Sequence, residues 1–225
     1  MQVCLGSIFR NAENYVQRYA DQIAALRAAL PQHTFRLILA EGDSVDQTYA
    51  LLTAQFNGAV FKREHGGPRF GSTGEPERMC QHAFVWEAVR ARIEPEDEVF
   101  FYLTSDLRWE PGVVVRLIER LQEPGVDLVS PCVFLNKRFY DTWGQRGMDG
   151  KLYDHYFPYH PDVVNPGPTG LVRLSSTGSF IAMKADVARQ CDFNPPEMEV
   201  VSFTRNAAAK GFGVFLDPKL EVYHP

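Results

Sequence analysis

Short, nearly continuous apolar runs alternate with longer amphipathic stretches along the first half of the chain. Residues 3–9 form one apolar run and predict a buried strand. A helix is expected over 13–30, with Ile23, Leu26 and Leu30 on one face and Pro31 closing it. A second strand follows at 35–40. Ser44 and Gln47 have the spacing of a capping box, Ser at N-cap and Gln at N3, opening a helix to 56. A third strand is expected at 59–62, a Gly/Pro-rich loop over 64–76 and a helix over 77–92. A strand at 98–103 and a helix from Pro111 to 121 come next, since Pro suits the first helical turn. A strand at 127–131 closes this half.

That order is β-α-β-α-β-α-β-α-β, with strands apolar on both faces. It predicts an α/β fold: one mostly parallel, Rossmann-like sheet flanked by helices, in a single domain over 1–225. In such sheets ligands bind beyond the carboxyl ends of the strands. Past Pro131 the pattern changes. Residues 136–170 interleave Phe139, Tyr140, Trp143, Tyr153, Tyr156, Phe157 and Tyr159 with Pro, Gly and Asp, without a helical or strand period. A loop of that length is expected to be functional or mobile. A strand near 180–183, a short helix from Ala185, a helix over 199–210 and a closing strand pair in 211–224 complete the expectation. The change of pattern divides the chain into 1–131 and 132–225.

Composition narrows the field. The 225 residues are 45% hydrophobic and 23% charged, with a net charge of -5, so a polymeric nucleic acid is a poor first choice of ligand. Cys4, Cys80, Cys132 and Cys191 are scattered and form no CxxC, as expected of free thiols in a reducing compartment. The sequence shows no leader pattern and no apolar run of the roughly 20 residues that would span a bilayer, which suits a cytoplasmic protein.

Several side chains just past strand ends could carry chemistry. Asp106 ends one strand and His224 ends the last. A carboxylate and an imidazole meeting at one sheet edge can hold a divalent metal, although singly Asp106 suits an Asx turn and His224 an exposed terminus. With diphosphate oxygens added, such a set favours Mn²⁺ over Mg²⁺. Glu41 or Asp43, at a strand-to-helix turn, could accept hydrogen bonds from a base or a ribose. Arg10 and Arg78 could grip phosphate, with solvated surface charge as the plainer reading. Glu197 and Glu199 suit a helix N-terminus, and either could stand beside an acceptor hydroxyl. His155 and His160 read as loop residues.

The turn Glu41-Gly42-Asp43-Ser44-Val45-Asp46-Gln47-Thr48 resembles a signature of GT-A glycosyltransferases, in the form found in the fungal Golgi mannan polymerase mannosyltransferase subunits. Ser7-Ile8-Phe9-Arg10 resembles that family's first-strand nucleotide loop. Thr104-Ser105-Asp106 stands in the place of its D-x-D, with Thr104 where an acid is usual. Tyr140-Asp141-Thr142-Trp143 resembles the stretch after the metal motif, and His224 matches a late histidine. The resemblance implies a nucleotide-sugar-dependent hexosyltransferase. Ser7, Phe9, Arg10, Glu41, Asp43, Arg78, Thr104 and Ser105 would hold the donor, Asp106 and His224 the Mn²⁺ or Mg²⁺, and Glu199 with Asp106 would serve catalysis. The partners implied are a nucleoside-diphosphate sugar and a hydroxyl-bearing acceptor met by 136–170. A nucleotidyltransferase usually begins with G-x-G-T-R, which Ser7 to Arg10 lack. A non-catalytic binding protein on the same fold is the other alternative, favoured by Thr104.

Overall fold

The structure, a computed structural model, describes residues 1–67, 70, 74–152 and 166–225. The elements run β1 (Gln2–Phe9), α1 (Glu13–Ala29), β2 (Thr34–Glu41), α2 (Thr48–Gln55), β3 (Val60–Lys62), α3 (Pro76–Arg90), β4 (Val99–Thr104), α4 (Pro111–Arg120) and β5 (Leu128–Leu135). They continue with β6 (Arg138–Phe139), β7 (Val172–Arg173), β8 (Phe180–Lys184), α5 (Ala185–Gln190), α6 (Glu199–Ala209) and β9 (Val214–Tyr223). All lie on one sheet in the order β3-β2-β1-β4-β8-β5-β9-β7, with β6 paired to β5. Strands β3, β2, β1, β4, β5 and β9 point one way, and β8, β7 and β6 run against them. The expected mostly parallel α/β sheet is therefore present.

Strand alternation explains the layers. In β1 and β4, Val3, Leu5, Val99, Phe101 and Leu103 pack with Ile23 and Leu26 of α1, Leu52 of α2 and Leu117 of α4. Cys4, Phe100 and Tyr102 face the other way, onto Trp86 and Val89 of α3, Val187 of α5 and Val200 and Phe203 of α6. Both faces of the sheet are thus covered, and hydrophobic burial on two sides is the main driving force for this arrangement. Gly6 permits it locally, because a Cβ there would meet Val89 Cγ1 and Phe100 Cζ at 2.7 Å. All four cysteines are free.

Two expectations need correction, and one strand pairing goes beyond what was expected. The expected C-terminal strand pair is a single strand, β9. Its pairing with β5 jumps from Pro131↔Asp217 to Cys132↔Glu221, so residues 218–220 bulge outward. Prolines at 131 and 218 lack the N–H groups that a continuous ladder would use there. The expected capping box does not form. Gln47 is the N-cap of α2 without a side-chain cap bond, and Ser44 Oγ instead accepts the Asn11 N–H at 3.0 Å. Asn11 Oδ1 accepts the Val45 N–H and Glu13 Oε2 accepts the Gln47 N–H, so this turn is tied to the start of α1. Finally, β8 comes from the second half of the chain yet lies between β4 and β5. Phe180, Ile181, Ala182 and Met183 are buried on both faces, which suits a central strand.

The buried Asp97 fastens the turn before β4. It accepts from Arg36 Nε at 3.2 Å and Gln2 Nε2 at 3.0 Å, and its other oxygen accepts the Glu94 N–H at 2.8 Å and a second contact from Arg36. Burial alone would raise its pKa, but the Arg36, Gln2 and Glu94 hydrogen bonds prevail and hold it below the ordinary value. A depressed folded-state pKa gives stability that is present above the unfolded value of about 3.9 and is lost as pH falls through the folded value. Asp97→Ala, which strands Arg36, should cost about 3 kcal/mol in urea unfolding at pH 7. The cost should shrink in acid below about pH 4. An unchanged midpoint at pH 7 would refute this role.

Candidate functional site

A cleft of about 1200 Å³ opens beyond the carboxyl ends of β1 and β4. Its wall includes Phe9 and Arg10 after β1, Gly42 after β2, the α3 residues Arg78 and His82, and Thr104, Ser105 and Asp106 after β4. From the second half come Asn136, Arg138, Tyr140, Trp143, Glu199 and His224.

Two hydrogen-bonded centres occupy this cleft. The first joins Asp106 to His224, with Oδ2 and Nε2 3.0 Å apart. The backbone explains the meeting. Arg108 and Tyr223 exchange N–H···O bonds of 2.7 and 2.9 Å, which bring the turn after β4 against the end of β9. The His224 N–H also donates to the Phe134 carbonyl at 2.7 Å. Arg18 Nη2 donates to the Asp106 carbonyl at 2.5 Å, and the Tyr140 ring stacks on the His224 ring at 4.2 Å. The bond to Asp106 raises the His224 pKa above its ordinary value against burial. Burial would raise Asp106, but the His224 contact prevails and lowers it.

This pair suits part of a metal shell. The 3.0 Å between them is a hydrogen-bond length, and for both atoms to ligate one divalent ion the shared proton has to leave while they stay neighbours. Among the described residues no group of three or more His, Cys, Asp or Glu side chains converges. Two protein donors therefore leave most of a six-ligand shell to oxygens from elsewhere.

The second centre is Glu199, at the first turn of α6. It is buried, and its Oε1 accepts the Tyr102 hydroxyl at 2.9 Å and lies 3.1 Å from His82 Nδ1. Burial would raise the Glu199 pKa, but the His82 contact, with Tyr102 assisting, lowers it. Burial and the Glu199 charge push the Tyr102 hydroxyl well above its ordinary value, so Tyr102 is the donor. The Trp86 ring stacks on Tyr102 with centroids 3.6 Å apart. The competing carboxylate, Glu197, pairs with Arg205 at 2.6 Å and is absent from the cleft wall.

Other expected site residues divide. Phe9, Arg10, Arg78, Thr104 and Ser105 line the cleft. Arg10 Nη2 donates to the Gly67 carbonyl at 2.7 Å. Ser7 does not line it: the strand period turns Ser7 toward α1, where its hydroxyl lies 2.8 Å from the Tyr19 hydroxyl. Glu41 and Asp43 are likewise off the wall. Glu41 is buried and accepts the Ser44 N–H at 3.0 Å, while Asp43, at φ 56°, accepts the His65 N–H at 2.8 Å. Ser44, Asp46 and Thr48 accept the backbone N–H groups of Asn11, Glu13 and Ala12, so this turn holds the loop after β1 in shape. Within 136–170, residues 153–165 lie outside the described residues, including His155, His160 and four of the expected aromatics.

Sequence reasoning missed His65, His82, Tyr102 and Arg138. For His82 a signal existed. Arg78, Gln81, His82, Val85 and Trp86 recur at i, i+3, i+4, i+7 and i+8, one face of α3, and all five line the cleft.

No protein-family model matches the sequence, and no curated protein sequence matches it. Solved structures do. A mannosyltransferase from Pyrobaculum calidifontis, in complex with GDP-Man and Mn²⁺, aligns with TM-score 0.59 at 12% identity over 99% of this chain and 56% of its own. S. aureus TarS with UDP-GlcNAc aligns with TM-score 0.61 at 14% identity over 99% of this chain and 58% of its own. GalNAc-T7 with UDP, GalNAc and Mn²⁺ aligns with TM-score 0.63 at 12% identity over all of this chain and 44% of its own. The chain has the GT-A fold of these enzymes. It spans about half of their length. Among the described residues no helix is long and apolar enough to cross a membrane.

Asp141, between two cleft-lining neighbours, offers a test of the site's foundation. It is buried, Oδ1 accepts the Ser179 hydroxyl at 2.6 Å, and among the described residues Oδ2 has no hydrogen-bond partner. Gly178 makes room for it, since a Cβ there would lie 2.8 Å from Asp141 Cγ. Burial pushes the Asp141 pKa up to about 7, against the Ser179 hydrogen bonds. Between the unfolded value of about 3.9 and that folded value, the native state holds a proton that the unfolded state lacks. Stability therefore falls as pH rises through that window. Asp141→Asn keeps the Ser179 contact without a buried charge, so thermal melts should show it stabilising at pH 8 and nearly neutral at pH 4. Equal shifts at both pH values would refute this.

Proposed function

We infer that the protein is a glycosyltransferase that moves a sugar from a nucleoside-diphosphate sugar to an acceptor hydroxyl with the help of Mn²⁺ or Mg²⁺. The observation that carries this reading is the Asp106–His224 pair, 3.0 Å apart at the carboxyl edge of a GT-A sheet and inside its main cleft. Solved proteins of this fold were captured with nucleotide sugars or UDP, two of the three with Mn²⁺. They hold GDP-mannose in one case and UDP or a UDP-sugar in others, so the fold alone does not select the nucleotide.

On this reading Asp106 and His224 hold the cation. When bound, it offsets negative charge gathering on the leaving diphosphate. Arg10 and Arg78 face the phosphates, where a guanidinium can donate two parallel hydrogen bonds. Thr104 and Ser105 border the sugar. The nucleoside end falls to the cleft-lining Arg10, Gly42 and His65, with Glu41 and Asp43 shaping that wall from behind. Glu199 stands on the acceptor side, with Tyr140 and Trp143 as an aromatic border that restricts water. Residues 1–131, as the nucleotide-binding half, supply most of the donor side and 132–225, as the acceptor-binding half, most of the acceptor side, with His224 crossing over to the cation.

Release of nucleoside diphosphate from a panel of GDP- and UDP-sugars with Mn²⁺ tests the reading. Wild type should release it, and a chelator should stop it. Asp106→Asn and His224→Ala should each lower the rate roughly 100-fold or more, the scale for losing several kcal/mol of charge stabilisation. Formation of a nucleotide sugar from a nucleoside triphosphate and a sugar phosphate would instead identify a nucleotidyltransferase. Donor binding without turnover would identify a binding protein.

A further inference from the structure

We propose that His82 is the base that accepts the acceptor proton, that Glu199 positions it, and that the transfer therefore inverts the anomeric centre. This rests on the transferase reading above and assigns chemistry that the reading leaves open. The starting point is which atom of the Glu199–His82 pair can reach a substrate. Glu199 is 6% exposed, and its Oε1 already receives the Tyr102 hydroxyl. His82 is more open, with 31% of its side chain accessible.

The hydrogen-bond pattern fixes the tautomer. Glu199 is held ionised by its contacts and Tyr102 is held protonated, so Oε1 is only an acceptor. His82 Nδ1, 3.1 Å away, must carry the proton it shares with Oε1. In the neutral ring the lone pair then sits on Nε2, for which the described residues supply no partner. A carboxylate behind one ring nitrogen and a lone pair on the other is the arrangement of a general base held in one tautomer. Tyr102 and its stacked Trp86 lock the carboxylate, so the ring has a rigid backing. The charged or titratable groups facing His82 are Glu199 from α6, Tyr102 from β4, Arg78 one turn earlier on α3, and His65 after β3.

The step balances. The acceptor oxygen forms a bond to the anomeric carbon as its proton passes to His82 Nε2. The bond from that carbon to the diphosphate oxygen breaks, and its electron pair leaves with the nucleoside diphosphate. Glu199 stabilises the resulting imidazolium. Direct displacement by a base-activated hydroxyl inverts configuration, whereas a front-face retaining transfer hands the acceptor proton to the departing diphosphate and a double displacement needs a carboxylate nucleophile open to the sugar, which the buried Glu199 is not.

The test uses the full-length protein with Mn²⁺, GDP-mannose and UDP-N-acetylglucosamine as donors, and water and methanol as minimal acceptors. Wild type should produce a methyl glycoside of inverted anomeric configuration by NMR. His82→Gln and His82→Asn should keep the wild-type melting temperature and donor affinity within about threefold, while turnover falls about 10²–10⁴-fold. Added imidazole should restore part of the turnover in His82→Ala and none in wild type. Glu199→Gln presents an amide donor to Nδ1, so it should lower kcat while leaving donor affinity within about threefold and the melting temperature near wild type. A retained configuration, a His82→Gln enzyme of near-normal rate, or donor binding without turnover of either acceptor would overturn the assignment. Loss of turnover only through loss of donor affinity would also overturn it. A wild type that binds neither donor would instead sink the transferase reading itself.

Discussion

Strand β4 is hydrogen-bonded on both edges, to β1 on one side and β8 on the other, and the cleft is laid out along it. Its alternate side chains leave Phe101 and Leu103 in the α1 layer and turn Phe100 and Tyr102 toward α3 and α6. Two residues rise about 6–7 Å along a strand. Tyr102 therefore anchors the Glu199–His82 centre roughly that far back from Thr104, and Asp106 follows in the turn beyond. One strand thus sets the spacing between the two polar centres. Because β8 belongs to the second half of the chain, that half is bound into the sheet beside the residues it must meet.

Legibility in the sequence followed the physics of burial. The five strands and four helices of the first half were readable, because each strand is a short apolar run, α1 and α4 carry an apolar stripe, and Pro or polar turns mark where the helices begin. The same property hid the fate of Ser7. In a strand apolar on both faces, alternation carries no sign, and Ser7 reads equally well as a cleft residue or as the partner of Tyr19. Glu41 and Asp43 misled for a related reason. Both stand past a strand end, but their oxygens accept backbone N–H groups of Ser44 and His65, contacts between residues that only folding brings together. The insertion of β8 between β4 and β5 is a matter of long-range pairing, which local pattern does not encode.

Net charge also proved a poor guide to the cleft. The chain carries -5 overall, yet the wall combines Arg10, Arg78 and Arg138 with His65, His82 and His224 against the carboxylates of Asp106 and Glu199. Cationic lining focused in a concave site attracts anions whatever the sum over the rest of the surface. A diphosphate donor suits that wall, whereas a long polyanion would meet the acidic remainder.

The replacement of an acid by Thr104 has a consequence under the proposed function. Thr104 Oγ1 is 3.4 Å from the Ser179 carbonyl and its side chain also hydrogen-bonds Asp106, so it supports that carboxylate but adds no charge. On that reading one carboxylate and one imidazole would face a dication, with water and the donor's diphosphate to fill its shell and the diphosphate to supply the remaining negative charge. Each ligand completes the site for the other, and the coupling free energy between them is the same whichever binds first. Weak affinity for free metal is therefore compatible with firm metal use in the complex. The missing acid shifts the cation's hold from the protein to the donor, and with it the dependence of donor affinity on the cation.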